Sequence, residues 1–158
     1  PWMLAEDVSE EDFRNIARHV SGGVISDGFS LAPEGVLAEG KHHPRSYGAF
    51  PYFLRHFIRD QQILSWEEAI HKLTGYAAVR FGLKDRGFLR EGAWADLLVF
   101  DPETIGERAD FADPYRYPVG IDIVLVNGVL AVAEGQLQNA LAGSILRGRG
   151  SQSADPRW

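Results

Sequence analysis

Cysteine is absent from the 158-residue sequence, which excludes disulfide bridges, thiolate zinc sites and cysteine nucleophiles. Long hydrophobic runs are also missing, since no stretch approaches the roughly 20 apolar residues that a membrane helix needs. The net charge of -6 argues against a surface that binds nucleic acid. No basic, apolar leader marks a secreted protein. Together these absences predict a cytoplasmic protein without membrane or nucleic-acid partners.

Metal-binding histidine motifs are missing as well. None of the five histidines shows the His-x-His or His-Glu-x-x-His spacing of a preformed metal site. The adjacent His42 and His43 would point to opposite faces of a strand, so they form a poor chelating pair. We interpret His43 as a surface group of a loop.

What the sequence does contain is typical of one globular domain with a real core, with 45% hydrophobic and 24% charged residues. The stretch from 22 to 28 stands out because Val24 and Ile25 are followed by Asp27 and Gly28. A buried parallel strand shows this pattern, and α/β proteins place catalytic groups at the carboxyl ends of such strands. Asp27 is therefore a candidate for chemistry. The alternative is that Ser26-Asp27-Gly28 is only a turn.

Around this stretch the pattern predicts helices. A first helix begins at the cap Ser9 and ends before Gly22, and a short strand follows at 24–26. Residues 29–48 form a long connection, in which Arg45 is suited to bidentate recognition of a carboxylate. Three further helices are expected over 50–59, from the capping box at 65–68 to 75, and over 76–81.

From residue 87 the pattern changes to strands. We predict strands over 95–101, 121–126 and 129–133, with Asn127-Gly128 as a hairpin turn and a short last strand at 145–146. Residues 148–158 have the composition of a flexible tail. The predicted fold class is α/β plus β, and neither part completes a fold. Residues 1–86 are interpreted as the end of a larger α/β body and 87–147 as a small β unit.

Several motifs resemble the C-terminal portion of the amidohydrolase superfamily, and more narrowly its D-aminoacylase group. The superfamily signature is matched by Thr74-Gly75, Phe81-Gly82-Leu83, Arg86-Gly87, Glu91-Gly92 and Ala95-Asp96-Leu97-Leu98-Val99-Phe100-Asp101. The narrower group is indicated by Ser26-Asp27-Gly28, His43-Pro44-Arg45-Ser46-Tyr47-Gly48, Asp113-Pro114, Tyr117-Pro118 and the hairpin at 124–129. Tyr52 stands where the family usually has an arginine, and the connection from Asp27 to Arg45 is longer than its common form.

The resemblance implies the last segment of a zinc-carrying (β/α)8 barrel followed by part of a small C-terminal β-sandwich. It implies that Asp27 takes a proton from metal-bound water, passes it to the leaving amine, and can also ligate a second metal. Arg45 would hold the α-carboxylate of the substrate, with Ser26 and Gly28 also at the substrate site. The principal zinc ligands of the family lie upstream of anything in this sequence.

We therefore expect the C-terminal portion of a zinc-dependent enzyme that hydrolyses N-acyl-D-amino acids, inactive without the upstream barrel. One alternative is an amidohydrolase that acts on a cyclic amide, of the dihydroorotase or hydantoinase type. Another is a non-catalytic module that self-associates through exposed strand edges.

Overall fold

The computed structural model describes residues 8–32 and 34–147, and helices precede strands along the chain. None of the helices in these two ranges is long and apolar enough to cross a membrane. The helical elements are α1 (Glu10–Arg18), a 3-10 turn (Gly35–Ala38), α2 (Arg45–Tyr52), a π-helix (Phe53–Asp60), α3 (Trp66–Leu73) and α4 (Gly75–Phe81). The strands are β1 (Leu97–Phe100), β2 (Ile121–Val126), β3 (Val129–Ala133) and β4 (Gln136–Leu137).

Three helix ends predicted from local signals are confirmed, whereas α1 ends at Arg18, earlier than the predicted stop at Gly22. Ser9 caps α1 by accepting a hydrogen bond from the amide of Asp12 at 3.1 Å. Ser65 and Glu68 form the reciprocal capping box at the start of α3. Gly82 ends α4 in the left-handed conformation at a φ of 66°.

The strand predicted at 24–26 is not formed. Residues 24–26 form neither helix nor strand, and their burial alternates between a half-buried Val24, an exposed Ile25 and a half-buried Ser26. A strand is defined by hydrogen bonds to a neighbouring strand, and no described residue pairs with this segment. The segment has the alternating burial of a strand but no hydrogen-bonded neighbouring strand among the described residues.

The predicted connection over 29–48 is also corrected. Helix α2 begins at Arg45, so this residue lies on a helix and the loop ends before it. The helix then continues through the π-helix to Asp60, beyond the predicted range of 50–59. Pro51 lies just before the change to wider turns, and it has no N–H to donate to the preceding turn.

The strands form one antiparallel sheet in the order β1-β2-β3-β4. Asn127 and Gly128 make the predicted hairpin turn, with φ values of 51° and 80°. No strand forms at 145–146, which was a wrong prediction, and β4 was not foreseen. The described residues contain this single sheet, so the second layer of a sandwich stays a prediction. The tail predicted over 148–158 lies outside the described residues.

The core lies where the π-helix meets α1 and α3. Phe53 and Phe57 are almost fully buried, and the ring of Phe13 from α1 stacks on Phe57 at a centroid distance of 4.4 Å. Ile105, which precedes the sheet strands β2 to β4, is only 1% exposed and belongs to the same cluster. The connection between β1 and β2 is therefore tied into the helical core.

An ion pair reinforces this attachment. The guanidinium of Arg55 on the π-helix donates two hydrogen bonds to the carboxylate of Glu107. Burial, the largest single influence, raises the pKa of Glu107, but the hydrogen bonds and charge of Arg55, together with a backbone hydrogen bond and the charge of His56, hold the pKa below its ordinary value. The pair is part-buried and bidentate, which makes it stronger than a typical surface pair.

Lys72 on α3 is 8% exposed and fixes the turn that follows α1. Its Nζ donates to the carbonyl oxygens of His19 at 2.7 Å and Gly22 at 2.8 Å. The hydroxyl of Tyr76 on α4 donates to the carbonyl of Ser21 in the same turn. These bonds tie the backbone carbonyls of the turn to α3 and α4.

We expect Lys72→Met to lower the free energy of unfolding by about 2 kcal/mol, because it removes two charge-assisted hydrogen bonds made by a nearly buried lysine. Urea unfolding of the purified chain measures the change, with the exposed Lys84→Met as the matched control. Equal stability of the two variants would contradict the role given to Lys72.

Candidate active site

Asp27 follows residues 24–26 and has a backbone in the left-handed conformation. Its φ of 47° lies in the left-handed region, which residues other than glycine rarely adopt. Such a conformation costs on the order of 1 kcal/mol and persists only where the surroundings hold it. Four other described residues that are not glycine share this conformation, among them Asn127 in the hairpin turn, so the backbone of Asp27 fits a turn and its role rests on the contacts of its carboxylate.

The carboxylate of Asp27 is bound to the guanidinium of Arg45. Arg45 Nη2 lies 2.8 Å from Asp27 Oδ2, and Arg45 is the first residue of α2. The two side chains are 41% and 74% exposed, so the pair contributes only roughly 0–1 kcal/mol to stability. The structure thus brings together the two predicted site residues as an exposed, easily opened ion pair.

The other two predicted site residues, Ser26 and Gly28, flank Asp27 and shape the turn. The amide of Gly28 donates to Oγ of Ser26 at 3.2 Å. The amide of Phe29 donates to Oγ of Ser46 at 3.1 Å. A Cβ on Gly28 would lie 2.9 Å from the Cα of Ser46, so only glycine permits this close approach.

His43 belongs to the same cluster, although the sequence suggested a surface loop group. Its Nδ1 accepts a hydrogen bond from the amide of Arg45 at 3.1 Å, and its ring packs edge-on against Phe111 at 4.9 Å. Burial lowers the pKa of His43, the charge of Arg45 lowers it further, and Asp27 opposes both. The signal available in the sequence was the adjacency His43-Pro44-Arg45.

An aromatic wall stands beside α2 on the side of residues 115–117. The ring of Tyr47 packs edge-on against Tyr115 at 5.9 Å and Tyr117 at 5.6 Å. The hydroxyl of Tyr115 donates to the carbonyl of Gly40 and so ties down the loop before α2. Burial, followed by the neighbouring tyrosines, raises the pKa of Tyr47, whose hydroxyl is buried without a partner among the described residues.

A cavity of about 200 Å³ opens next to Arg45, between the first turns of α2 and Ala109. Its walls are largely apolar, with Pro44, Ala49 and the ring of Tyr52 among them. A larger open groove, of about 920 Å³, lies along the sheet and has none of the predicted site residues in its lining. The smaller cavity is the one that adjoins the Asp27–Arg45 pair.

Within residues 8–32 and 34–147, no group of three or more histidine, aspartate or glutamate side chains could hold a metal ion. Asp27 faces a guanidinium, and even with His43 nearby it belongs to no set of three metal ligands in the described chain. These residues alone do not fit a zinc site.

We expect the imidazole of His43 to titrate below the ordinary value of 6.5 and to stay neutral at pH 7, because burial disfavours the charged ring. Substitution of Arg45 by Gln should move the pKa of His43 upwards, because it removes a nearby positive charge. NMR titration measures both values, and His43→Gln identifies the resonance. An unchanged or lowered pKa in Arg45→Gln would contradict this account.

The sequence profile described as the amidohydrolase family matches residues 35–132 of this chain. An N-acyl-D-aspartate deacylase of Alcaligenes xylosoxydans xylosoxydans is 41% identical over 121 residues, which cover 77% of this chain and 23% of the relative. A D-aminoacylase of the same organism is 40% identical over 116 residues, covering 73% of this chain and 24% of that protein. The chain thus spans about a quarter of the length of these relatives.

Solved structures agree with the sequence comparison. A D-aminoacylase with a binuclear metal centre superposes with a TM-score of 0.76 at 35% identity, covering 85% of this chain and 27% of that one. An N-acyl-D-glutamate deacylase from Bordetella bronchiseptica, bound to zinc and a phosphonate inhibitor, gives a TM-score of 0.70 at 34% identity, with 85% and 28% covered. By profile, sequence and fold, the chain belongs to the amidohydrolase family.

Proposed function

We propose that this chain is the C-terminal portion of a zinc-dependent amidohydrolase that hydrolyses the amide bond of N-acyl-D-amino acids. Similarity to deacylases of N-acyl-D-aspartate, N-acyl-D-glutamate and other D-amino acids supports the reaction class. In this proposal residues 1–86 belong to the catalytic barrel and 87–147 to a small β-sandwich. The observation that supports it is the 2.8 Å contact between Asp27 and Arg45, the residues proposed here for proton transfer and for carboxylate binding.

Arg45 binds the α-carboxylate of the substrate in this proposal. Its planar guanidinium presents paired N–H donors that match a carboxylate, and it already holds one carboxylate in the structure. A substrate carboxylate would take the place of Asp27 on Arg45. Because the existing pair is exposed, this exchange of one carboxylate for another costs little.

The exchange releases Asp27 for proton transfer. The freed carboxylate accepts a proton from the water whose oxygen attacks the acyl carbon. As the carbon–nitrogen bond breaks, Asp27 returns this proton to the leaving nitrogen, so that a carboxylate and an amino acid are formed. Ser26 and Gly28 hold the turn on which Asp27 lies and border the substrate.

Zinc is the proposed cofactor of the full-length enzyme, because a solved deacylase similar to this chain contains it. The described residues do not supply a ligand set, so the principal ligands are proposed to lie in the upstream barrel. The chain alone is accordingly expected to be inactive. The cytoplasmic location stays a prediction.

The experiment compares two substrates in the full-length enzyme: N-acetyl-D-leucine and N-acetyl-D-leucinamide, which lacks the carboxylate. Arg45→Gln should lower kcat/KM for the acid on the order of 100-fold, the loss expected for a charge-assisted bidentate contact. Turnover of the amide should change little. Zinc content of each preparation is measured by elemental mass spectrometry.

Arg90→Gln is the matched control. Arg90 is exposed, pairs with Asp85 and lies far from Arg45 in the sequence. Equal losses of kcat/KM on both substrates would show that Arg45 does not bind the substrate carboxylate. Absence of hydrolysis by the wild type, with turnover of a hydantoin or dihydropyrimidine instead, would replace the proposal with a cyclic-amide hydrolase.

A further inference from the structure

We propose that Ser46 is a positioning residue, whose hydroxyl holds the turn of residues 26–29 on α2 and thereby places the Asp27 carboxylate. The inference rests on the proposed function, in which Asp27 transfers the proton. It goes further by giving a role to a side chain that touches neither substrate nor the reacting atoms.

The first observation is a bond on the far side of Asp27. The amide of Phe29 donates to Oγ of Ser46 at 3.1 Å, and this bond joins the turn to the first turn of α2. Residues 26–29 belong to no helix or sheet in the described structure. The bond from the amide of Gly28 to Ser26 Oγ lies within the turn and cannot attach it to the helix. The other attachment to α2 is the exposed Asp27–Arg45 ion pair, which the substrate carboxylate opens in the proposed function.

The second observation is the contact beside this bond. Gly28 lies so close to Ser46 that an added Cβ would be 2.9 Å from its Cα. The turn therefore rests directly on the backbone of α2 and not on a flexible side chain. The hydroxyl bond keeps the two surfaces together, while the missing Cβ allows them to meet.

The third observation is the conformation that this arrangement holds. Asp27 has a φ of 47°, which an aspartate leaves readily when its surroundings relax. Loss of the attachment at Phe29 would let the backbone of Asp27 return to an ordinary conformation. The carboxylate would then swing away from the position it holds over α2.

Arg45 has its own support and should not move with the turn. The start of α2 is closed by backbone hydrogen bonds from Ser46 to the His43 carbonyl at 3.2 Å and from Tyr47 to the Pro44 carbonyl at 3.0 Å. Neither bond uses the hydroxyl of Ser46. Removal of the hydroxyl should thus impair proton transfer while leaving the substrate carboxylate bound.

The test is a split between kcat and KM in the full-length enzyme with N-acetyl-D-leucine. Ser46→Ala should lower kcat on the order of tenfold or more, as expected when a catalytic group is misplaced, while KM stays within about twofold. Ser46→Thr keeps a hydroxyl and should restore most of kcat. Ser30→Ala is the matched control, since Ser30 is exposed and lies next to Phe29.

A readout independent of catalysis is amide hydrogen exchange of the peptide that covers residues 24–32. Exchange there should be faster in Ser46→Ala than in the wild type or in Ser30→Ala. Wild-type kcat in Ser46→Ala, or equal loss in Ser46→Ala and Ser46→Thr, would overturn the inference. If the wild type itself hydrolyses no N-acyl-D-amino acid, the proposed function fails. The positioning role is tested separately by hydrogen exchange, and unchanged exchange in Ser46→Ala would overturn it.

Discussion

The close approach of residues 26–29 to the first turn of α2 is the constraint on which the candidate site depends. It requires glycine at position 28, next to Asp27 in the left-handed conformation. It also brings the Asp27 carboxylate within 2.8 Å of the Arg45 guanidinium. Before the turn, Val24 packs on the core, so the segment is held on both sides of the aspartate.

The helical stretch that begins with α2 serves the site and the core at once. Its first residue is Arg45, and its later residues Phe53 and Phe57 fill the centre of the hydrophobic cluster. Arg55 and Arg59 reach across to the connection between β1 and β2, at Glu107 and at the carbonyls of Glu103 and Ile105. Because α2 and the π-helix form one continuous helical stretch, a shift of that stretch in the core would also move Arg45.

The sequence predicted the features that depend on near neighbours. The caps at Ser9 and Ser65 and the hairpin at Asn127-Gly128 use contacts within a few residues, and each formed as expected. The resemblance named Asp27 and Arg45, but it did not indicate that they would bind each other. Their contact depends on the path of the connection between them, which local patterns do not encode.

Failures of prediction share the same cause. The segment 24–26 has the composition of a strand, yet a strand needs a ladder from distant residues. His43 appeared as a loop group because its partner Phe111 lies far along the chain. Ser46 was named only as a member of the motif at 43–48, because its contact with Phe29 depends on a residue far from it in the sequence.

The burial of Lys72 has a consequence for the chemical reactivity of its amine. The chain has two other lysines, Lys41 and Lys84, and both are open to water. The amine of Lys72 is covered and committed to two carbonyl oxygens, so electrophiles that acylate exposed lysines cannot reach it in the folded chain. The rate at which Lys72 is acylated would therefore report how often the turn after α1 separates from α3. This amine can serve as a chemical probe of local opening.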